Sequence, residues 1–350
     1  MPGLVPGIHV GPTGHMPGRC SPRYDVDGRD KPGHDGALEL NIPPQGTIAM
    51  TYADLTATHK IPAKDGVKLH VEEAGQGTPI LFIHEFGGNH MSWEPQMRFF
   101  ARRHRCITYA ARGYAPSDIP TDVEAYSQAI AADDAVAVLD GLGIEKAHIV
   151  GLSMGGFCTV HFGLRTPERA LSLTVAGAGY GCEKAHEEYF RGVSLAVAEN
   201  FEKLGAKEFS KIYALGASRV QFEVKDPRGW REFADRLATH SDIGAALTMR
   251  GVQARRPSFW DLEEGLKTMM VPTLVMVGDE DDHCLQPGIY LKKMIPACGL
   301  SVFPKAGHTL NLEEPALFNA QLAEFIAQVE AGKWLPRDPR AIPGQIMRTA

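Results

Sequence analysis

Short apolar runs alternate with longer stretches of helical period along most of this chain. Residues 67–73 alternate apolar and polar side chains, as a strand with one wet face does. Residues 79–84, reading Pro-Ile-Leu-Phe-Ile-His, form a compact apolar run ending in turn residues, the pattern of a strand buried on both faces. Similar runs recur at 106–110, 147–150, 171–175, 272–277 and 300–303. Helical patterns fall between them at 93–102, at 126–142 with Ala131, Ala135, Val138 and Leu142 on one face, at 156–164 and at 315–329. Strands that alternate with helices predict βαβ units and a mostly parallel sheet, doubly wound, with right-handed crossovers. The rhythm breaks at 182–262, where only helical patterns appear, at 189–204, 206–215, 228–239 and 243–252. A helical block interrupting a parallel sheet predicts a cap inserted over the carboxyl edge of the strands, where such sheets place their sites.

Composition changes this picture at one end. Residues 1–49 hold nine Gly and eight Pro and show neither a helical nor a strand period, so a Gly/Pro-rich tail outside the fold is expected there, with normal-looking sequence from Met50. The expected organisation is therefore a tail at 1–49, a core at 50–181 and 263–335, a cap at 182–262 and a second tail at 336–350. No signal-peptide core and no 18-residue apolar window occurs in the sequence, so a cytoplasmic protein is expected. The 36 basic and 42 acidic side chains give a formal charge of −6, which argues against a nucleic-acid or anionic-membrane surface. Cysteines stand at 20, 106, 158, 182, 284 and 298 without a CxxC pair, which predicts free thiols and offers no zinc signature.

The strongest local chemistry is Gly151-Leu152-Ser153-Met154-Gly155, directly after one predicted strand and directly before a predicted helix. A sharp turn there would hold Ser153 in strained geometry with its hydroxyl proud of the sheet edge, and the following helix would present free N–H groups to a developing oxyanion. A serine hydroxyl needs a base to take its proton, and the base needs an orienting carboxylate. His308 lies on a loop just past the last strand, and His84 ends the strand at 79–83. Gly278-Asp279-Glu280-Asp281-Asp282 follows another core strand, where an orienting acid would be needed.

Five motifs in order, His84-Glu-Phe-Gly-Gly88, Arg112-Gly-Tyr-Ala-Pro-Ser-Asp118, the Ser153 turn, Gly278-Asp-Glu-Asp281 and Gly307-His308 with Asn311-Leu-Glu-Glu-Pro315 behind it, resemble the α/β-hydrolase superfamily, in particular its cap-bearing esterase-like and peroxidase-like members. The resemblance covers roughly residues 60–332 and keeps that family's Ser, acid, His order. It implies Ser153 as nucleophile, His308 as general base, Asp281 as orienting acid with Asp279 and Asp282 as fallbacks, and the amides of Phe86 and Met154 as the oxyanion hole. It also implies acyl transfer from a small carboxylic ester to water, with no metal and no cofactor. The expected partner is a small-molecule substrate, neither nucleic acid nor membrane, and a homodimer stays open. A lactonase, a carbon–carbon bond hydrolase and a cofactor-free perhydrolase share the same triad; a non-catalytic ligand-binding protein on this fold is the competitor from another class.

One residue departs from the family pattern. Glu85 stands where relatives usually carry Gly, between His84 and the oxyanion residue. A carboxylate aimed into the hole would repel the charge that develops there. Glu85 is therefore expected to point away and to be paired, with Arg112 as the expected partner.

Overall fold

A computed structural model describes residues 56–341 and Gly344. The expected tail at 1–49 lies outside the described residues; that at 336–350 is described only in part.

Among the described residues, eight strands form one sheet in the order β1-β2-β4-β3-β5-β6-β7-β8. They are β1 (Thr56–Pro62), β2 (Lys68–Ala74), β3 (Pro79–Ile83), β4 (Arg105–Tyr109), β5 (Ala147–Leu152), β6 (Ala170–Ala176), β7 (Thr273–Gly278) and β8 (Cys298–Phe303). β1 pairs antiparallel with β2, β2 pairs antiparallel with β4, and every later pair is parallel. The helices are α1 (Glu94–Phe100), α2 (Gln128–Gly141), α3 (Met154–Arg165), α4 (Glu187–Tyr213), α5 (Val220–Lys225), α6 (Pro227–Leu237), α7 (Asp242–Thr248), α8 (Glu263–Thr268), α9 (Asp282–Met294), α10 (Leu310–Glu313) and α11 (Pro315–Glu330).

The two-residue period of the strands sorts their side chains into two cores. Leu81, Ile83, Ile149, Val175, Val275 and Val277 enter one, with residues of α2, α3 and α9. Ile80, Phe82, Val150, Leu152, Leu274 and Met276 enter the other, with Trp93, Met97 and Phe100 and with Phe318, Leu322 and Phe325 of α11. Both faces are dry, so the strands read as continuous apolar runs.

Helices α4 to α8 fill the connection from β6 to β7. As the period predicts with helices at 189–204 and 206–215, α4 consists of two helical stretches that part at Gly205, whose φ of 74° and ψ of 159° are not helical. Phe201 and Phe209 from α4 and Met249 pack in one cluster with Phe86 and Met154, so this helical block rests on the turns that follow β3 and β5. Among the described residues no helix is long and apolar enough to cross a membrane.

Candidate active site

Every candidate residue leaves the carboxyl end of a parallel strand. Ser153 follows β5 with φ 55° and ψ −112°, a conformation disfavoured for a residue with a side chain. Two neighbours make the turn sterically feasible. A Cβ on Gly151 would lie 2.0 Å from the Gly155 carbonyl oxygen, and one on Gly155 would lie 2.1 Å from that of Ile83. The Ser153 amide donates to the Ala176 carbonyl (2.8 Å), which pins the turn to β6. Met154 opens α3, so its N–H has no acceptor within the helix.

The loops after β7 and β8 bring the candidate base and a candidate acid together. His308 Nδ1 donates to Asp281 Oδ2 at 2.7 Å, with both side chains buried. Of the two fallback acids, Asp279 accepts the Ala306 amide (3.2 Å) and Asp282 is exposed at the start of α9. Burial raises the Asp281 pKa, but the charge and hydrogen bond of His308 outweigh that and hold it below the ordinary carboxylate range. Asp281 thus stays ionised at neutral pH and fixes the imidazole with its Nε2 free to accept a proton. The His308 loop is held in turn by Glu313, whose two oxygens both accept the Gly307 amide at 3.0 Å, and by the Ser218 carbonyl, which accepts the His308 amide at 3.0 Å.

His84 is occupied on both ring nitrogens by backbone. Its Nδ1 donates to the Glu85 carbonyl (2.7 Å) and its Nε2 accepts from the Ala111 amide (3.0 Å). Burial lowers its pKa to about 4, so it is a neutral brace of the turn after β3. The Tyr114 hydroxyl donates to the Phe86 carbonyl (3.0 Å), fixing the orientation of that turn's backbone next to the cavity Phe86 lines.

Glu85 is paired, but with a different partner from the one expected. Arg112 is engaged by Asp134 (2.6 and 2.7 Å) and Asp65 (2.8 Å). Glu85 instead meets Arg219, the residue before α5, in a fork that joins Nη1 to Oε1 (3.0 Å) and Nη2 to Oε2. The pair is sealed, with Glu85 2% and Arg219 3% exposed. Burial pulls the Arg219 pKa down, yet the Glu85 carboxylate outweighs it and raises the value. Arg219 also donates to the Thr309 hydroxyl, next to His308, and lies 4.7 Å over the Phe233 ring. No sequence signal marks Arg219, because a lone arginine among many charged helix residues looks like a solvated one.

A sequence profile for the alpha/beta hydrolase fold matches residues 78–315. The chain belongs to that family. This alpha/beta hydrolase is similar to 2-hydroxymuconate semialdehyde hydrolase of Pseudomonas sp. (strain CF600), 27% identical over 278 residues, which cover 76% of this chain and 93% of the relative. It is similar also to 3-oxoadipate enol-lactonase 1 of Acinetobacter baylyi, 26% identical over 253 residues, 72% of this chain and 89% of the relative. Among solved structures, a thermophilic esterase from Thermogutta terrifontis matches with a TM-score of 0.70 at 24% identity, covering 78% of this chain and 99% of that one; this likeness concerns the fold alone.

In this alpha/beta hydrolase a cavity of about 390 Å³ opens between the strand ends and the helical block, with Ser153, His308 and Phe86 in its wall. Of the ten aromatics between 189 and 260, Tyr189, Phe190 and Tyr213 line it, and Phe259 is buried against Phe157. Phe201, Phe209, Phe222 and Phe233 are buried in the packing beneath, Trp230 donates to the Ala214 carbonyl (2.9 Å), and Trp260 stacks on Tyr290 (4.1 Å).

Proposed function

We propose that the chain is a serine hydrolase that cleaves a small carboxylic ester through an acyl-enzyme. The observation that carries this reading is the 2.7 Å bond from His308 to Asp281 beside a cavity whose wall also holds Ser153 in its strained turn. His308 takes the Ser153 proton as the hydroxyl oxygen attacks the ester carbonyl. Asp281, ionised, stabilises the imidazolium that forms. The amides of Phe86 and Met154 receive the oxyanion, and the positive end of α3 adds to their field. His308 then protonates the leaving alcohol, and water repeats the cycle on the acyl-enzyme. The helical block from α4 to α8 serves as a cap that limits water and shapes the substrate pocket. The Glu85 carboxylate is neutralised by Arg219, so it does not oppose charge development.

Labelling with a fluorophosphonate probe tests the reading. The wild type is expected to label at Ser153 and Ser153→Ala is not; a wild type that stays unlabelled at Ser153 refutes it. A panel of esters, lactones and diketones then separates the ester reading from the lactone and carbon–carbon readings.

A further inference from the structure

The cavity wall carries basic side chains and, among the described residues, no Asp or Glu. Its basic members are Arg219, Arg256, His186, His283 and His308. Three of these have an acid: Arg219 has Glu85, His308 has Asp281, and His186 has Glu183 at 3.3 Å. Arg256 does not. Its guanidinium donates to the Gln253 side-chain oxygen and to the Tyr180 carbonyl (2.6 Å), both neutral, and no carboxylate among the described residues is paired with it. The rest of its environment is aromatic, with the guanidinium carbon 3.7 Å from the centre of the Phe157 ring and 5.0 Å from that of Phe190. Ring faces help to hold such a charge but do not satisfy its N–H groups. A guanidinium has five donors, so after two bonds three N–H groups are left over, that of Nε among them. A permanent cation with no counter-ion, drawn partly out of water, is costly unless a ligand completes it. Burial lowers its pKa to about 10, the signature of a charge lacking its partner, and leaves it protonated at neutral pH.

The position relates this charge to the reacting centre. Phe157, on which Arg256 lies, is the residue whose amide donates to the Ser153 carbonyl (2.9 Å), one helical turn along α3, or about 5.4 Å. Arg256 and Ser153 both line the cavity of about 390 Å³, so an anion on Arg256 and an acyl group on Ser153 share it. Planar, bidentate recognition is what a carboxylate offers to a guanidinium fork.

We propose that Arg256 is a specificity-determining residue that binds a free carboxylate on the substrate, so that the enzyme acts on esters or lactones carrying a second, ionised carboxyl group. This deepens the serine-hydrolase reading and rests on it. The second carboxylate accepts from the remaining N–H groups of Arg256, and these charge-assisted bonds hold the acyl group in the cavity that Ser153 lines.

Three p-nitrophenyl esters of similar length test it: the glutarate monoester (anionic), the pentanoate (neutral) and the 4-trimethylammoniobutanoate (cationic). The wild type is expected to rank kcat/KM anionic over neutral by tenfold or more, with the cation last. Arg256→Gln is expected to shrink the anionic-to-neutral ratio by about 10–100-fold, the range for losing charge-assisted hydrogen bonds, whereas Arg256→Lys keeps part of it. A wild type that cleaves the cation as well as the anion overturns the proposal even if no variant folds. An equal fall on the anionic and neutral esters in Arg256→Gln also overturns it. Calorimetric binding of glutarate to Ser153→Ala, with and without Arg256→Gln, separates the two readings. Loss of glutarate binding with Arg256→Gln supports the anion site even where fluorophosphonate leaves Ser153 unlabelled and the hydrolase reading falls; glutarate binding unchanged by Arg256→Gln overturns the anion site alone.

Discussion

Replacing Glu85 by Gln leaves Arg219 charged, sealed and without its counter-ion. The amide keeps the shape and one acceptor, so packing changes little and the perturbation is electrostatic. Both partners are almost fully buried and share a two-bond fork. Breaking one side of such a pair costs about 3–5 kcal/mol, because the surviving charge keeps its desolvation penalty without the attraction that offset it. For a domain of this size that is a fall in Tm of about 5–8 °C. Replacing both residues with Met removes both penalties together. Glu85→Met/Arg219→Met is therefore expected to lie within about 1 kcal/mol of the wild type, although each single variant is strongly destabilised. Urea denaturation followed by fluorescence, run as a double-mutant cycle, measures all four corners. A Glu85→Gln cost below 1 kcal/mol, or a double variant equal to the sum of the singles, refutes the reasoning. Turnover adds a second reading: a paired, structural Glu85 predicts a double variant within about tenfold of wild-type kcat, whereas a fall of about a hundredfold or more assigns it a proton-transfer role.

The remaining expectations can be checked separately. Asp281→Asn should lower kcat about 10³–10⁴-fold, because His308 loses the partner that fixes its tautomer; steady-state kinetics near wild-type kcat would contradict that. His84, His148 and His161 are buried with pKa values lowered to about 4 by burial, so below about pH 6.5 the unfolded chain takes up protons that the folded one excludes. Their contribution is fully present above pH 6.5 and is lost toward pH 4, at about 1.4 kcal/mol per pH unit for each; a urea midpoint that stays flat from pH 7 to 5 would rule this out. Cys106, Cys158, Cys182, Cys284 and Cys298 are all buried, and burial raises each thiol's pKa, so peptide mapping after iodoacetamide should find them unmodified until the protein is unfolded. A chain beginning at Met50 should retain full turnover, as every candidate site residue lies after it.

The core strands were legible because burial on both faces leaves an unbroken apolar run. In β5, Ala147–Leu152, all six residues are buried. β1 hides for the opposite reason: at the sheet edge only Ile61 is buried, and Thr-Ala-Thr-His-Lys carries no period. α9 escapes the sequence reading because Pro287 interrupts its helical pattern with a residue that normally ends one. The turn glycines and Ser153 were legible through local sterics, which need no distant partner. The Glu85–Arg219 and Arg256 arrangements were not, since they join residues far apart in sequence and depend on which cations the fold withdraws from water.

Arg219 ties three separately encoded pieces of chain, its own segment of the helical block, the Glu85 turn and the Thr309 loop, through one side chain. That makes the block a poor module for exchange. A chimera carrying the equivalent helices of a relative without this arginine would strand Glu85, and one that kept the helices but restored Gly at 85 would strand the arginine. Across homologues the two positions should therefore change together, and α4, whose Phe201 and Tyr213 pack on Phe86 beside that junction, should change with them.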